Sequence, residues 1–269
     1  MYSGTTFRPK SGNMIGVHQK IDRVARRHLR QLPGKDRHFP GTRDILHFEG
    51  NNGPDGIKRK SPSTDEPWHF IDPNDPTDRE LITMILDHQI NLTAALKKRD
   101  MTRAAYEAAW LSHAITDGLT PAHHYRLSDH IEKLWGKPKE ERLTIVQKNF
   151  IKGEGARDTM SRNWKYWGAK GIFITHIMFE FGVATAVQST RFTDSGPSYE
   201  WLSGAEKKGL TGVFEEAMHE IYALDMYHEY WKSGWTPKLA RETRQALLPI
   251  IIRTVTYAWY EAQQQAERS

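Results

Sequence analysis

The chain of 269 residues contains no cysteine. Without thiolates it can form no disulfide bonds, iron–sulfur clusters or all-cysteine zinc sites, and it has no cysteine nucleophile. Imidazole and carboxylate groups are the ligands that remain for a transition metal, and the chain has 13 His and 33 Asp+Glu. Any metal chemistry must therefore depend on histidine and acidic residues.

Long apolar runs and a secretory leader pattern are also missing. The first 17 residues are mostly polar, and the most apolar stretches, around 172–187 and 247–252, are interrupted or short. A membrane-spanning helix needs about 20 mostly apolar residues, and a secretory signal needs an apolar core of about 7 to 15. We therefore expect a cytoplasmic protein without a transmembrane helix.

The alternation of apolar and polar residues that is typical of strands does not occur either. Apolar residues recur at three- and four-residue spacing, which predicts helices over 14–32, 78–99, 102–118, 161–188, 204–233 and 237–265. Asn13 is the expected N-cap of the first helix, and Pro249 is expected to bend the last one. The sequence thus predicts an all-α, multi-helix bundle.

We expect this bundle to be a single domain over 1–269. A loop over 33–77, rich in Gly, Pro, Asn and Asp, separates the first two helices. Residues 125–170 form a charged insertion with short helical signals at 129–135 and 139–151. Residues 204–267 carry the long C-terminal helices, in which we find no motif.

Positive charge is concentrated near the N-terminus, where residues 1–60 hold 13 Lys and Arg against 5 Asp and Glu. One short helical segment contains Lys20, Arg23, Arg26, Arg27 and Arg30. Such a surface could contact phosphate groups or anionic lipid heads. The alternative is a solvated helix face without a ligand, which such runs more commonly form.

Two histidine–carboxylate pairs have the spacing of ligands on one helix face. His113 and Asp117 are four residues apart, and His123 follows on the turn after that helix. His176 and Glu180 form the second pair, in a segment that is apolar on nearly every side. A buried carboxylate needs a cation, hydrogen-bond donors or a proton, so a metal ion and a simple His–Glu hydrogen bond are both open for Glu180.

Taken in order, these residues resemble the zinc-dependent phospholipase C family, whose superfamily includes the single-strand-specific zinc nucleases. The resemblance covers about residues 14–184. It rests on His18 before a helix, Asp55 in Gly-Pro-Asp, His69 in Trp-His-Phe, His113, Asp117 and His123 in His-x3-Asp-x5-His, and His176 and Glu180 in His-x3-Glu. The family fold is a helical bundle with its metals in a cleft.

The resemblance implies a set of zinc ligands. One zinc would be held by Asp55, His69, His113 and Asp117, and a second by His123, His176 and Glu180. A third would bind His18 and share Asp117. In secreted family members an N-terminal Trp completes the third site with its amino and carbonyl groups, whereas the first Trp here is Trp68. Because 17 residues precede His18, we expect the third site to be empty or weak.

The implied activity is hydrolysis of phosphate esters, most closely that of a phospholipase C. A hydroxide bridging the metals would be the nucleophile, and Asp55 would be a ligand that also orients or deprotonates the water. Partners would be a phospholipid or another phosphodiester, with peripheral membrane contact through the basic N-terminal region. One alternative is a nuclease or nucleotidase with nucleic acid as substrate. The other is a non-catalytic helical protein that its metals brace.

Overall fold

The computed structural model describes residues 1, 16–32, 38–56, 70–125, 132–137, 141, 144 and 150–268. Within these ranges the chain forms helices and no strand, which confirms the all-α prediction. The α-helices are α1 (Val17–Leu29), α2 (Thr42–His47), α3 (Glu80–Lys97), α4 (Met101–Gly118), α5 (Ala156–Trp167), α6 (Ile172–Val187), α7 (Tyr199–Tyr222), α8 (Met226–Ser233), α9 (Pro237–Glu242) and α10 (Leu248–Glu267). Short 3₁₀ turns occupy Gly50–Asn52 and Pro121–His124.

Helix α10 is the centre of the hydrophobic core. Helices α1, α3, α4 and α7 all pack against it. Trp259 is fully buried there, and its indole nitrogen donates a hydrogen bond of 3.0 Å to the carbonyl of Ala108 in α4. The C-terminal segment, which carries no motif, thus supports the helices that present the histidines.

Three of the long predicted helices are interrupted in the structure. The segment predicted as one helix over 161–188 is two helices, α5 and α6, with Gly168 in an extended conformation at the end of α5. The segment 204–233 divides at Asp225, which adopts a left-handed conformation with φ 52°. Before Pro249 a π turn spans Thr243–Leu247, because proline has no N–H to donate to the preceding turn.

The predicted loop 33–77 also differs where it is described. Residues 38–56 contain the helix α2 and the 3₁₀ turn Gly50–Asn52 rather than an irregular loop. The predicted cap Asn13 lies outside the described residues. Of the predicted helical signal 129–135, residues 132–135 are described and helical, and the signal 139–151 is described only at 141, 144, 150 and 151. The helix predictions 78–99 and 102–118 are confirmed by α3 and α4, within two residues at each end.

The helices α5 and α6 together give one stretch, 156–187, that is long and apolar enough by composition to cross a membrane. About a third of its most apolar window is buried inside the protein. Helix α6 also carries His176 and Glu180, whose side chains are largely buried against other elements. At these two residues α6 packs against other parts of the protein.

Candidate metal centre

Two groups of histidine and carboxylate side chains lie side by side in the protein interior. The first contains His18 from α1 with His113 and Asp117 from α4. The second contains His123 from the turn Pro121–His124 with His176 and Glu180 from α6. Within each group the nearest donor atoms all lie within 4.8 Å of one another, so each group could hold a metal ion.

Asp117 is the centre of the first group. Its Oδ1 lies 3.3 Å from Nε2 of His18, and its Oδ2 lies 3.3 Å from Nε2 of His113. The rings of the two histidines are stacked with centroids 4.0 Å apart. Two ligands of a tetrahedral zinc ion, each about 2.05 Å from it, lie about 3.3 Å from one another, so these donors have the spacing that zinc needs.

Glu180 is the centre of the second group. Its Oε1 lies 3.0 Å from Nε2 of His123 and 3.1 Å from Nε2 of His176. These two rings are also stacked, with centroids 5.0 Å apart, and Phe70 packs against both. The distance of 3.8 Å between Nδ1 of His123 and Oδ1 of Asp117 brings the two groups into direct contact.

The first residue of the chain also reaches this centre. The amino nitrogen of Met1 lies 2.5 Å from Oδ1 of Asp117 and 3.2 Å from Oε1 of Glu180. The carbonyl oxygen of Met1 lies 2.8 Å from Nε2 of His18. The amine and the carbonyl oxygen of Met1 thus lie beside Asp117 and His18, the residues implied for a third zinc, and a weak or empty third site stays a prediction.

The Met1 amine and the His113 ring both have raised pKa values because carboxylates lie next to them. Burial lowers the pKa of the Met1 amine, but Asp117 and Glu180 outweigh it and raise the pKa to about 10. Burial likewise lowers the pKa of His113, while Asp117 and Glu49 together hold it well above its usual value. An ammonium and an imidazolium thus neutralise the acidic groups, which is the task that a bound cation would take over.

The second group has the opposite protonation pattern. Burial and then the Met1 ammonium lower the pKa of His123 to about 3, so its imidazole is neutral at pH 7. Burial raises the pKa of Glu180, yet the Met1 ammonium and His176 more than offset it, and the pKa lies well below the usual value. A neutral imidazole and an ionised carboxylate are the forms that bind metals.

Glu49 contacts the His113 ring of the first group, and the sequence analysis did not predict Glu49 as a site residue. Its fully buried carboxylate lies 3.5 Å from Nδ1 of His113, on the opposite side of the ring from Asp117. A carboxylate in this place fixes the orientation of a metal-binding histidine. Gly53 allows this arrangement, because a Cβ there would come within 2.8 Å of the carbonyl oxygen of Phe48 and 3.0 Å of the Glu49 backbone.

A second buried acid ties α1 to α4. Ser112 donates a hydrogen bond of 2.5 Å to Oδ1 of Asp22, and both residues neighbour ligand candidates, Asp22 one turn after His18 and Ser112 next to His113. Burial first, and then the charge of Glu49, raises the pKa of Asp22 well above its usual value. This contact joins α1 to α4 close to the stacked rings of His18 and His113.

The structure places the predicted site residues as follows. His113, Asp117, His123, His176 and Glu180 come together, and Oδ1 of Asp55 lies 3.8 Å from Nε2 of His113. His18 shares one group with His113 and Asp117 instead of lying at a separate site. His69 lies outside the described residues, while its neighbour Phe70 contacts His123 and His176.

Other histidines have different roles. His124 has Nε2 2.9 Å from the carbonyl oxygen of Gly118, and burial lowers its pKa to about 4. His88 contacts Glu107 at 2.6 Å, and His228 contacts Asp225 at 3.0 Å. Each of these three histidines thus has a partner outside the two groups.

Of the five basic residues named above, Arg23, Arg27 and Arg30 are exposed, so the basic face is open only in part. Arg26 is buried and donates to the carbonyls of Pro40 and Phe39. Lys20 donates to the carbonyls of Val187 and Gln188 at the end of α6, and Arg27 donates to that of Arg191. Buried or terminal carbonyls need donors, so these cations hold α1 to neighbouring segments. Membrane contact through this region stays a prediction.

Comparison with known proteins adds no relative. No protein-family model matches the chain, and neither the curated proteins nor the solved structures contain a match. The evidence for a function is therefore the geometry of the two groups together with the order of their residues in the sequence.

Proposed function

We propose that the protein is a zinc-dependent hydrolase of phosphate esters, and that its closest functional counterpart is a phospholipase C. The observation that carries this proposal is the direct contact of two donor groups through Asp117 and His123. Phosphoryl-transfer sites commonly use two metals about 3.5 to 4 Å apart. Two neighbouring groups with tetrahedral ligand spacing suit such a pair better than one isolated structural ion.

The donor set supports zinc as the metal. Each group combines imidazole nitrogens with a carboxylate, and N/O sites of this kind are typical of catalytic zinc. Structural zinc sites usually close their coordination with thiolates, which this chain lacks. When bound, zinc polarises phosphoryl oxygens and lowers the pKa of water to about 7.

The chain's own residues would orient the reactants. Asp55 adjoins His113 and its side chain is 32% exposed, so its carboxylate can accept a hydrogen bond from a water that enters from solvent. We assign to Asp55 the role of holding that water and receiving its proton. Glu49 would keep the His113 ring in place, and Phe70 would exclude water from one side of the His123–His176 pair.

The test combines metal content with a panel of substrates. The purified protein should contain at least two zinc ions per chain and hydrolyse a phospholipid or a generic phosphodiester. His113→Ala should abolish both properties, whereas the control His124→Ala removes a buried histidine that is not a ligand and should keep them. Hydrolysis of single-stranded DNA alone would favour a nuclease, and bound zinc without any hydrolysis would favour a metal-braced structural protein.

A further inference from the structure

A cavity of about 600 Å³ is lined in part by residues from the segments that carry the second group. Its lining includes Tyr125, two residues after His123, and Ile172, one helical turn before His176. Tyr227 of α8 also lines it, and the ring of Tyr227 packs against Phe179, the residue before Glu180. Three separate elements that carry the metal centre or contact it therefore also form this cavity.

The walls of the cavity are mainly apolar. Ile172, Leu134 and the rings of Tyr125, Tyr227 and Trp231 supply most of the surface. Tyr227 and Trp231 lie one turn apart on α8 and so face the same side. A volume of this size is typical of pockets that enclose most of an organic ligand, and apolar walls favour an apolar ligand.

Three lysines, Lys133, Lys165 and Lys170, add positive charge to the lining. The described lining residues include no carboxylate to pair with these ammonium groups. Lysine ammonium groups beside apolar walls favour a ligand that joins an apolar chain to a negatively charged group.

The arrangement of the rings argues against a nucleobase in this cavity. Tyr125 and Tyr227 pack on each other with centroids 5.0 Å apart and planes tilted by 45°. Tyr227 and Trp231 are 6.5 Å apart and tilted by 61°. The rings are tilted or edge-on to one another, so these pairs leave no parallel gap for stacking, and the apolar walls would leave the polar edges of a base unpaired.

We infer that this cavity binds the acyl chain of an anionic amphiphile, with the three lysines holding its negatively charged head. The inference deepens the proposed function, because it assigns to the hydrolytic site a lipid substrate whose head is anionic. A quaternary ammonium head would be repelled by Lys133, Lys165 and Lys170. The binding itself needs neither turnover nor zinc, so it can be tested separately.

The test is calorimetric titration of the full chain with alkyl phosphates below the concentration at which they self-associate. Dodecyl phosphate should bind with one-to-one stoichiometry, and octyl phosphate should bind at least tenfold more weakly, since each methylene buried adds up to about fourfold in affinity. Dodecyltrimethylammonium should not bind measurably. Affinity that is independent of chain length, or equal for the cationic amphiphile, would overturn the inference.

Matched variants assign the binding to the cavity. Replacing all three lysines by Gln (Lys133→Gln, Lys165→Gln, Lys170→Gln) should weaken dodecyl phosphate at least tenfold. The control Lys97→Gln, Lys98→Gln, Lys207→Gln removes three exposed lysines outside the lining and should leave it unchanged. Equal losses in both triple variants would refute the assignment, as would tighter, lysine-dependent binding of a short single-stranded DNA.

The outcomes separate this inference from the proposed function. Hydrolysis of a soluble phosphodiester without alkyl phosphate binding would refute the cavity assignment and leave the hydrolase standing. If the protein neither holds zinc nor hydrolyses phosphodiesters, yet binds alkyl phosphate through the three lysines, the hydrolase proposal is refuted and the cavity assignment stands.

Discussion

Replacing Glu49 by Gln should weaken metal binding in the first group and leave the second group unchanged. The carboxylate of Glu49 lies 3.5 Å from Nδ1 of His113, while Nε2 of the same ring faces Asp117. Loss of an outer carboxylate behind a histidine ligand typically lowers metal affinity by about 10- to 100-fold, or about 1.4 to 2.7 kcal/mol. The second group has no contact with Glu49 among the interactions described, so zinc affinity should fall at the first group and stay unchanged at the second.

Zinc titration by calorimetry measures both classes in a single experiment. Glu107→Gln is the matched control, because Glu107 is equally buried on α4 but binds His88 and Arg103 instead of a ligand candidate. Glu49→Asp should recover part of the affinity, since it keeps the charge. Unchanged binding in Glu49→Gln, or an equal loss in both classes, would refute the idea that Glu49 orients His113.

Three further results are expected. Acetylation of the Met1 amine should weaken zinc binding in the first group, because an amide nitrogen cannot donate a lone pair to a metal. A zinc titration identical to that of the untreated protein would contradict a role of the amine as a zinc ligand. Zinc affinity of the first group should rise with pH between 6 and 8, because zinc must displace protons from His113 and from the Met1 amine, whose pKa values are raised in the metal-free protein, that of the amine to about 10. The proton release that accompanies zinc binding in weak buffer measures this effect. A zinc affinity that does not change with pH would contradict it. Trp259→Ala should lower the free energy of unfolding by about 3 to 5 kcal/mol, whereas Trp164→Ala, at a side chain 71% exposed, should change it by less than about 0.5 kcal/mol; urea denaturation distinguishes the two, and equal effects would contradict the assignment of α10 to the core.

The helices that carry the ligands could be predicted because their signals are local. The spacing of His113 and Asp117, and of His176 and Glu180, places each pair on one helix face whatever surrounds it. Periodicity likewise gave α3 and α4 nearly to their ends. It did not give the break between α5 and α6, because Gly168 interrupts a run whose apolar pattern continues on both sides.

The parts of the centre that the sequence did not indicate depend on long-range contacts. Met1 and Glu49 reach His18 and His113 only through the tertiary fold, and no spacing along the chain marks them. Composition likewise did not distinguish Arg26 from its exposed neighbours Arg23, Arg27 and Arg30, because the carbonyls of Phe39 and Pro40 that accept from it reach it only through the tertiary fold.

The most direct test of the account is the zinc content of the protein measured together with its phosphodiesterase activity. Protein purified without chelator and titrated with zinc should bind at least two equivalents tightly, and activity should appear in proportion to the bound metal. His176→Ala should remove metal from the second group and abolish activity while the helical content of the protein is retained. A protein that binds no zinc at any pH from 6 to 8, or one whose hydrolytic activity is the same with and without metal, would contradict the central claim.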